Sequence, residues 1–268
     1  VCHQHGTLLL VDNAHGAYLR FLEPSLHPLD LGADLCCDSA HKTLPVLTGG
    51  AYLHLSPAAP ARLAAMAKSA LGLFGSTSPS YLTLASLDLC NRYLAEGYPQ
   101  RLAETVGRLE GLREKLAAAG WQVESSDLLR VTVAAPSEVT GQKLARRLRR
   151  QGVECEYADR DFLVLMATPE NTPEELARAV AALGQCPGEA NLPQLPLARG
   201  ERACSIRQAA FAPRETVDAA HSLGRICGLP TVGCPPAIPI AVSGERIAPE
   251  ALALFEYYGI SQVEVLVE

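Results

Sequence analysis

The 268-residue chain lacks several features by which a sequence announces its class. It has no Cys-x-x-Cys pair, no fixed internal repeat, no acidic tail and no charged-then-apolar leader of the secretory kind. It is also short of charge, with 19% charged residues against 48% apolar. That balance excludes fibres, coiled coils and global disorder, and leaves a soluble mixed α/β protein of one to two domains. Lys and Arg number 23 against 29 Asp and Glu, a net charge of −6. The basic surplus that grips a phosphate backbone is missing, so no nucleic-acid partner is expected.

The nine cysteines are odd in number, and a chain this long needs no disulfide stapling. Cys36 and Cys37 are neighbours in an apolar run, where a small hydrophobe serves as well. Reduced core thiols are expected, which points to the cytoplasm. Ile226 to Gly244 carries no charge, but Pro230, Pro235, Pro236 and Pro239 would leave helix carbonyls unpaired in lipid. It reads as an extended, buried connection, and no membrane segment is expected. The chain opens on Val1, and Val1 to Gly6 reads as the tail of a helix with a Gly stop. A domain that begins by finishing a helix suggests a fragment.

Thr7–Val11, Ala33–Cys37 and Ala51–Leu55 read as strands, the first as one buried on both faces of a parallel sheet. Helices are predicted at Pro57–Leu71, Pro79–Ala95 and Arg101–Ala119, the last closed by Gly120. A smaller α/β unit follows, with strands at Val131–Ala134, Val153–Tyr157 and Phe162–Met166 and a helix at Glu138–Gln151. Thr172-Pro173-Glu174-Glu175 opens a further helix. Cys186 to Gly200 is a proline-rich linker, and 203–268 holds two helical patterns and a closing strand, Val263–Val267.

Chemistry concentrates between residues 12 and 42. Asp12 ends one apolar strand, where open α/β sheets bind ligands. Ser39-Ala40-His41-Lys42 follows the next, and a lysine there can be partly desolvated and prepared for nucleophilic work. Singly, Asp12 reads as a helix cap, Lys42 as a surface lysine, and His15 and His41 as satisfied core histidines. Together they form a specific constellation. Two other features read blandly. Lys143, Arg146, Arg147 and Arg150 form a solvated basic face opposite Leu144 and Leu148. His3-x-His5 lacks a third metal ligand, so no metal is expected.

Leu10-Val11-Asp12-Asn13-Ala14-His15-Gly16-Ala17, Asp38-Ser39-Ala40-His41-Lys42-Thr43-Leu44 and Ser76-Thr77-Ser78-Pro79-Ser80-Tyr81 resemble the Orn/Lys/Arg decarboxylases. Pro235-Pro236-Ala237-Ile238-Pro239 with Gly244-Glu245 resembles their C-terminal signature. The resemblance implies an α/β protein: the C-terminal part of an aspartate-aminotransferase-like fold that binds pyridoxal 5'-phosphate (PLP), with a mostly parallel sheet flanked by helices. It implies a PLP-binding major domain ending near 97, a small α/β domain over 98–185, a linker over 186–200 and a C-terminal α+β domain over 201–268.

By that resemblance, Lys42 would carry the cofactor covalently and Asp12 would pair with the ring nitrogen, keeping it protonated. Ala14 would pack under the ring and His15 beside it. Ser39 would bond the phosphate with His41 close by, and Thr77 and Ser78 would reach a phosphate across a dimer interface. The implied reaction is decarboxylation of arginine, lysine or ornithine by a homodimer or higher oligomer. The acid gripping the distal cation would be Glu156, Asp159 or Asp161, or lie outside this chain.

Asn13 stands where the family commonly has Glu, Tyr18 where His is frequent, and Ala237 where Gly is usual. The family's N-terminal phosphate loop and ring-stacking residue are not found, so an N-terminally truncated member is expected. An aminotransferase of the same fold, and a non-catalytic dimerisation or regulatory remnant, are the alternatives.

Overall fold

The computed structural model describes all residues except 76–77, 125–126, 191, 232–238 and 268. The chain divides into two compact units. The first comprises 1–114, 127–130 and 166–177, and the second 115–126, 131–165 and 178–268.

The first unit begins with one 3-10 turn, His3–His5, stopped by Gly6 in the left-handed region as its sequence requires. Strands β1 (Leu10–Asp12), β2 (Leu35–Asp38) and β3 (Tyr52–Leu55) form a sheet in that order. β1 and β2 run parallel, with Asp12 opposite Cys37. β3 returns antiparallel, with Cys36 opposite His54 and Asp38 opposite Tyr52. The expected mostly parallel sheet is therefore mixed among the described strands. The segment 13–34 makes the parallel crossover, and 39–51 returns the chain antiparallel.

Gly16 starts the turn Ala17–Phe21 that follows β1. A Cβ at Gly16 would lie 2.0 Å from Asn13 Oδ1. Glycine is thus needed to leave room for the Asn13 side chain. After β2 comes α1 (Ala40–Thr43), and after β3 come α2 (Ala61–Phe74), α3 (Tyr81–Ala95) and α4 (Tyr98–Ala118). Ser80 caps α3 by accepting from Thr83 N. The helix expected from Pro57 starts four residues later, because Ser56 and Pro57 form a turn in which Ser56 accepts from Ala58 N and Ala59 N.

β1 is not buried on both faces, as its apolar run suggests. Leu10 is 57% exposed, and β1 is an edge strand of the described sheet. The cysteines also depart from a uniform core: Cys36, Cys90 and Cys227 are buried, while Cys37 is exposed because adjacent strand residues face opposite ways. Burial, then the Asp38 carboxylate, pushes the Cys36 thiol up to about 12. Alkylation of the native chain with iodoacetamide at pH 8 should therefore label Cys37 and spare Cys36. Equal labelling in peptide mapping would contradict this packing.

In the second unit, β4 (Val123–Glu124), β5 (Arg130–Ala134), β6 (Tyr157–Ala158) and β7 (Phe162–Met166) lie in the order β4-β5-β7-β6. β5 starts at Arg130, the last residue of the first unit's 127–130 segment, and β7 ends at Met166, which also belongs to that unit. The strand predicted at 153–157 shrinks to Tyr157–Ala158, since only its end pairs with β7. α5 (Gly141–Arg149) buries Leu144 and Leu148 and leaves Lys143, Arg146, Arg147 and Arg150 exposed, the solvated face its pattern predicts. α6 (Pro173–Leu183) carries the expected cap: Thr172 Oγ1 accepts from Glu175 N, and Glu175 reaches back to Thr172 N.

Beyond the linker lie α7 (Ile206–Phe211), β8 (Arg214–Asp218), α8 (Pro249–Tyr258) and β9 (Gln262–Leu266). β8 and β9 pair antiparallel over a small core that includes Cys227, Ile247, Phe255, Val263 and Val265. Within 226–244, the described ends are extended and bridged, Cys227 to Val265 and Thr231 to Ala241. Most of the proline signature, 235–238, lies outside the described residues. No helix among the described residues is long and apolar enough to cross a membrane.

Candidate active site

The parallel pairing of β1 and β2 brings their carboxyl ends side by side, and with them the two motifs. Asp12 Oδ1 accepts from Ala14 N (3.1 Å), which turns the chain sharply at the strand end. Asn13 N donates to Cys37 O (2.9 Å), and Asn13 Nδ2 donates to Asp38 Oδ1 (2.7 Å). This side chain therefore ties the Asp12 loop to the Ser39 loop.

Ser39 is the N-cap of α1, and its side chain makes no cap bond. Lys42 N bonds back to Ser39 O (3.0 Å), so the hydroxyl and the lysine are carried on one helical turn. Lys42 is exposed among the described residues, and the expected desolvation is not supplied by these neighbours. Its contact is instead with His15: Nζ lies 3.2 Å from Nε2. His41 turns another way, its Nδ1 donating to Gly50 O (3.0 Å). Ser78 is exposed between α2 and α3, and Thr77 lies outside the described residues.

The residue that sequence reasoning missed is Arg130. Its Nη2 lies 2.5 Å from His15 Nδ1. A guanidinium only donates, so Nδ1 accepts and the ring proton sits on Nε2, facing Lys42. That hydrogen bond is complementary when Lys42 is a free amine, the form that attacks a carbonyl. Arg130 is fixed in turn by Asp127 (Nη1 to Oδ2, 2.6 Å), whose other oxygen accepts from Leu129 N, Arg130 N and the Tyr18 hydroxyl. Burial, then Asp127, pushes the Tyr18 hydroxyl up to about 12, so it remains a donor. Arg113 Nη2 on α4 donates to the carbonyls of Asp127, Leu128 and Arg130, at 2.6, 3.1 and 2.7 Å. Tyr18 thus acts on the site through Asp127 and Arg130. Nothing in the local sequence marks Arg130, which is 115 residues from His15.

The other candidates are occupied differently. His3 Nε2 pairs with Asp34 (2.7 Å). Asp159 is a turn anchor: it accepts from Asp161 N, Phe162 N and the Tyr157 hydroxyl. Asp161 accepts from the Tyr257 hydroxyl, and Glu156 is exposed.

A family model described as Orn/Lys/Arg decarboxylase, major domain, matches residues 1–146. The chain belongs to that family. Over 94% of its length it is 28% identical to an arginine decarboxylase of Bacillus subtilis, covering 56% of that protein. The chain spans about half the length of the curated relatives it matches.

Two solved structures share its fold. The lysine decarboxylase of Francisella novicida matches at a TM-score of 0.75 and 14% identity, over 97% of this chain and 53% of that one. An alanine–glyoxylate aminotransferase from Nostoc matches at 0.54 and 22% identity, over 69% of this chain and 55% of that one. The α/β fold is therefore one that this family shares with aminotransferases.

Proposed function

We propose that this chain is the lysine-bearing part of a PLP-dependent decarboxylase that acts on arginine, lysine or ornithine. The observation that carries the reading is Lys42 beside His15, with Asp12 and Ser39 at the ends of two adjacent parallel strands. The donor set fits the cofactor: an amine for its aldehyde, a carboxylate for its ring nitrogen, and an uncommitted hydroxyl for its phosphate. When bound, PLP takes up the electron pair left as the Cα–carboxylate bond breaks. Asp12 holds a proton on the ring nitrogen, Ser39 orients the phosphate, and Ala14 leaves room beneath the ring. His15, its Nδ1 accepting from Arg130, directs Nε2 toward Lys42 and offers the proton it carries there. A homodimer or higher oligomer, in the cytoplasm, belongs to the same reading, with Thr77 and Ser78 reaching a partner's phosphate. So do domain boundaries near 97, 186 and 200.

The test is product analysis on the full-length enzyme. CO₂ release from one of the three basic amino acids, with the matching amine formed, is expected. A keto acid would instead assign the site to transamination. The 268-residue chain alone should bind PLP about 10²- to 10³-fold more weakly than the full-length enzyme. By the family resemblance, further charge-assisted phosphate bonds and a ring stacked on the cofactor would come from outside this chain, each contributing about 1–3 kcal/mol. Micromolar PLP binding with turnover by the isolated chain would contradict that expectation.

A further inference from the structure

A second polar cluster lies in the same unit, on the sheet face that carries Cys36, Asp38, Tyr52 and His54. His27, from the crossover between β1 and β2, packs edge-on against His54. His27 and Asp38 are buried, whereas the His54 side chain is 36% exposed. His54 lines a cavity of about 440 Å³, together with Arg20, Tyr52 and Asn91. Lys42 and His15 are not among the residues lining that cavity.

His27 Nε2 and His54 Nε2 lie 3.1 and 3.0 Å from one atom, Asp38 Oδ2. All three atoms fall within 4.8 Å of one another. A tetrahedral cation bound at about 2.0–2.2 Å to N and O holds its ligands about 3.3–3.6 Å apart. The two His–Asp pairs would need to open by only a few tenths of an ångström, and the two ring nitrogens lie within 4.8 Å of each other. Asn13 fixes Asp38 Oδ1, which turns the other oxygen toward both rings, as supporting hydrogen bonds do in metal sites. Leu29 N donates to His27 Nδ1 over 3.4 Å, so the Nε2 proton points at Asp38. A cation on Nε2 would leave the ring proton on Nδ1, where it faces Leu29 N, so this long bond is the contact given up.

We propose that His27, Asp38 and His54 form a binding site for one divalent transition-metal cation of the zinc class, with its fourth position toward the cavity. Two imidazoles and one carboxylate suit Zn²⁺ or Co²⁺, whereas Mg²⁺ and Ca²⁺ require sets of oxygen ligands. Asp38 directly precedes Ser39 and α1, so the cation would clamp the Lys42 turn to β3 and to the crossover. The proposal does not depend on the decarboxylase reading, since none of the three ligands touches Lys42 in the contacts described.

The probe is the metal alone. The purified chain, stripped with a chelator, is titrated with Co²⁺ and then with Zn²⁺. One equivalent of Co²⁺ should give the intense visible absorption of tetrahedral cobalt, bleached by Zn²⁺, and either ion should raise the melting temperature. His54→Ala is the informative variant, because His54 is the accessible ligand and its loss leaves the buried His27–Asp38 pair intact. It should retain the native circular dichroism spectrum and bind at least 100-fold more weakly. His5→Ala should change nothing, which separates this site from the exposed His3-x-His5 pair. Absence of the cobalt spectrum, unaltered binding by His54→Ala, or loss of binding in His5→Ala would each overturn the proposal.

Discussion

Replacing Lys42 by Ala in the full-length enzyme should lower decarboxylase turnover by about 10³-fold or more, about 4 kcal/mol of transition-state stabilisation. The size of the effect follows from the geometry. Lys42 is the lysine on the Ser39–Thr43 turn, and its neighbour is an imidazole, which cannot replace an amine as the covalent anchor. The same substitution should abolish the visible absorption of the cofactor-loaded enzyme. In the unsubstituted enzyme, borohydride should fix the cofactor to Lys42 and to no other position. A reduced adduct mapped to Lys68 would displace Lys42 from this role.

Asp12→Asn is expected to have the next largest effect. The substitution preserves size and still offers Ala14 N an oxygen acceptor, so the turn at the end of β1 should survive. What would disappear is the negative charge that the proposed role sets opposite the cofactor's ring nitrogen. That interaction grows as electrons move into the ring, so its loss should fall on kcat by about 10²-fold or more, with cofactor still bound. A split of this kind, with the cofactor retained and kcat lost, distinguishes an electrostatic role from a purely structural one. Near-normal kcat would make Asp12 merely a turn residue.

The two strand-end motifs were readable because their order along the chain coincides with their order in space. A short apolar run followed by Asp12, and another followed by Ser39 and Lys42, become adjacent once β1 and β2 pair in parallel. Local capping chemistry was readable for the same reason, at Gly6, Thr172 and Gly120. β7 was predicted to the residue from its continuous apolar run, and in the structure it buries Leu163 and Leu165. β8 escaped notice because four of its five residues are exposed, so no apolar period marks it. Neither His27 nor His54 falls within a motif. Only the antiparallel return of β3 and the crossover between β1 and β2 bring them to Asp38. Arg130 was hidden most completely, since its partner lies at the far end of the unit's sequence.

The discontinuity of the first unit has a practical consequence for dissecting the protein. A cut near residue 97, at the boundary the sequence suggests, or at 114, where the unit's first segment ends, leaves both motifs on the excised piece. It nevertheless removes Asp127 and Arg130. The buried Tyr18 hydroxyl would lose its acceptor, and His15 would lose the guanidinium that dictates which nitrogen bears its proton. Such a piece would carry Asp12, Ser39 and Lys42 and yet present Lys42 to an imidazole whose Nδ1 has lost its Arg130 donor. Minimal versions of this scaffold, whether for engineering or for spectroscopy, must therefore extend at least through residue 130.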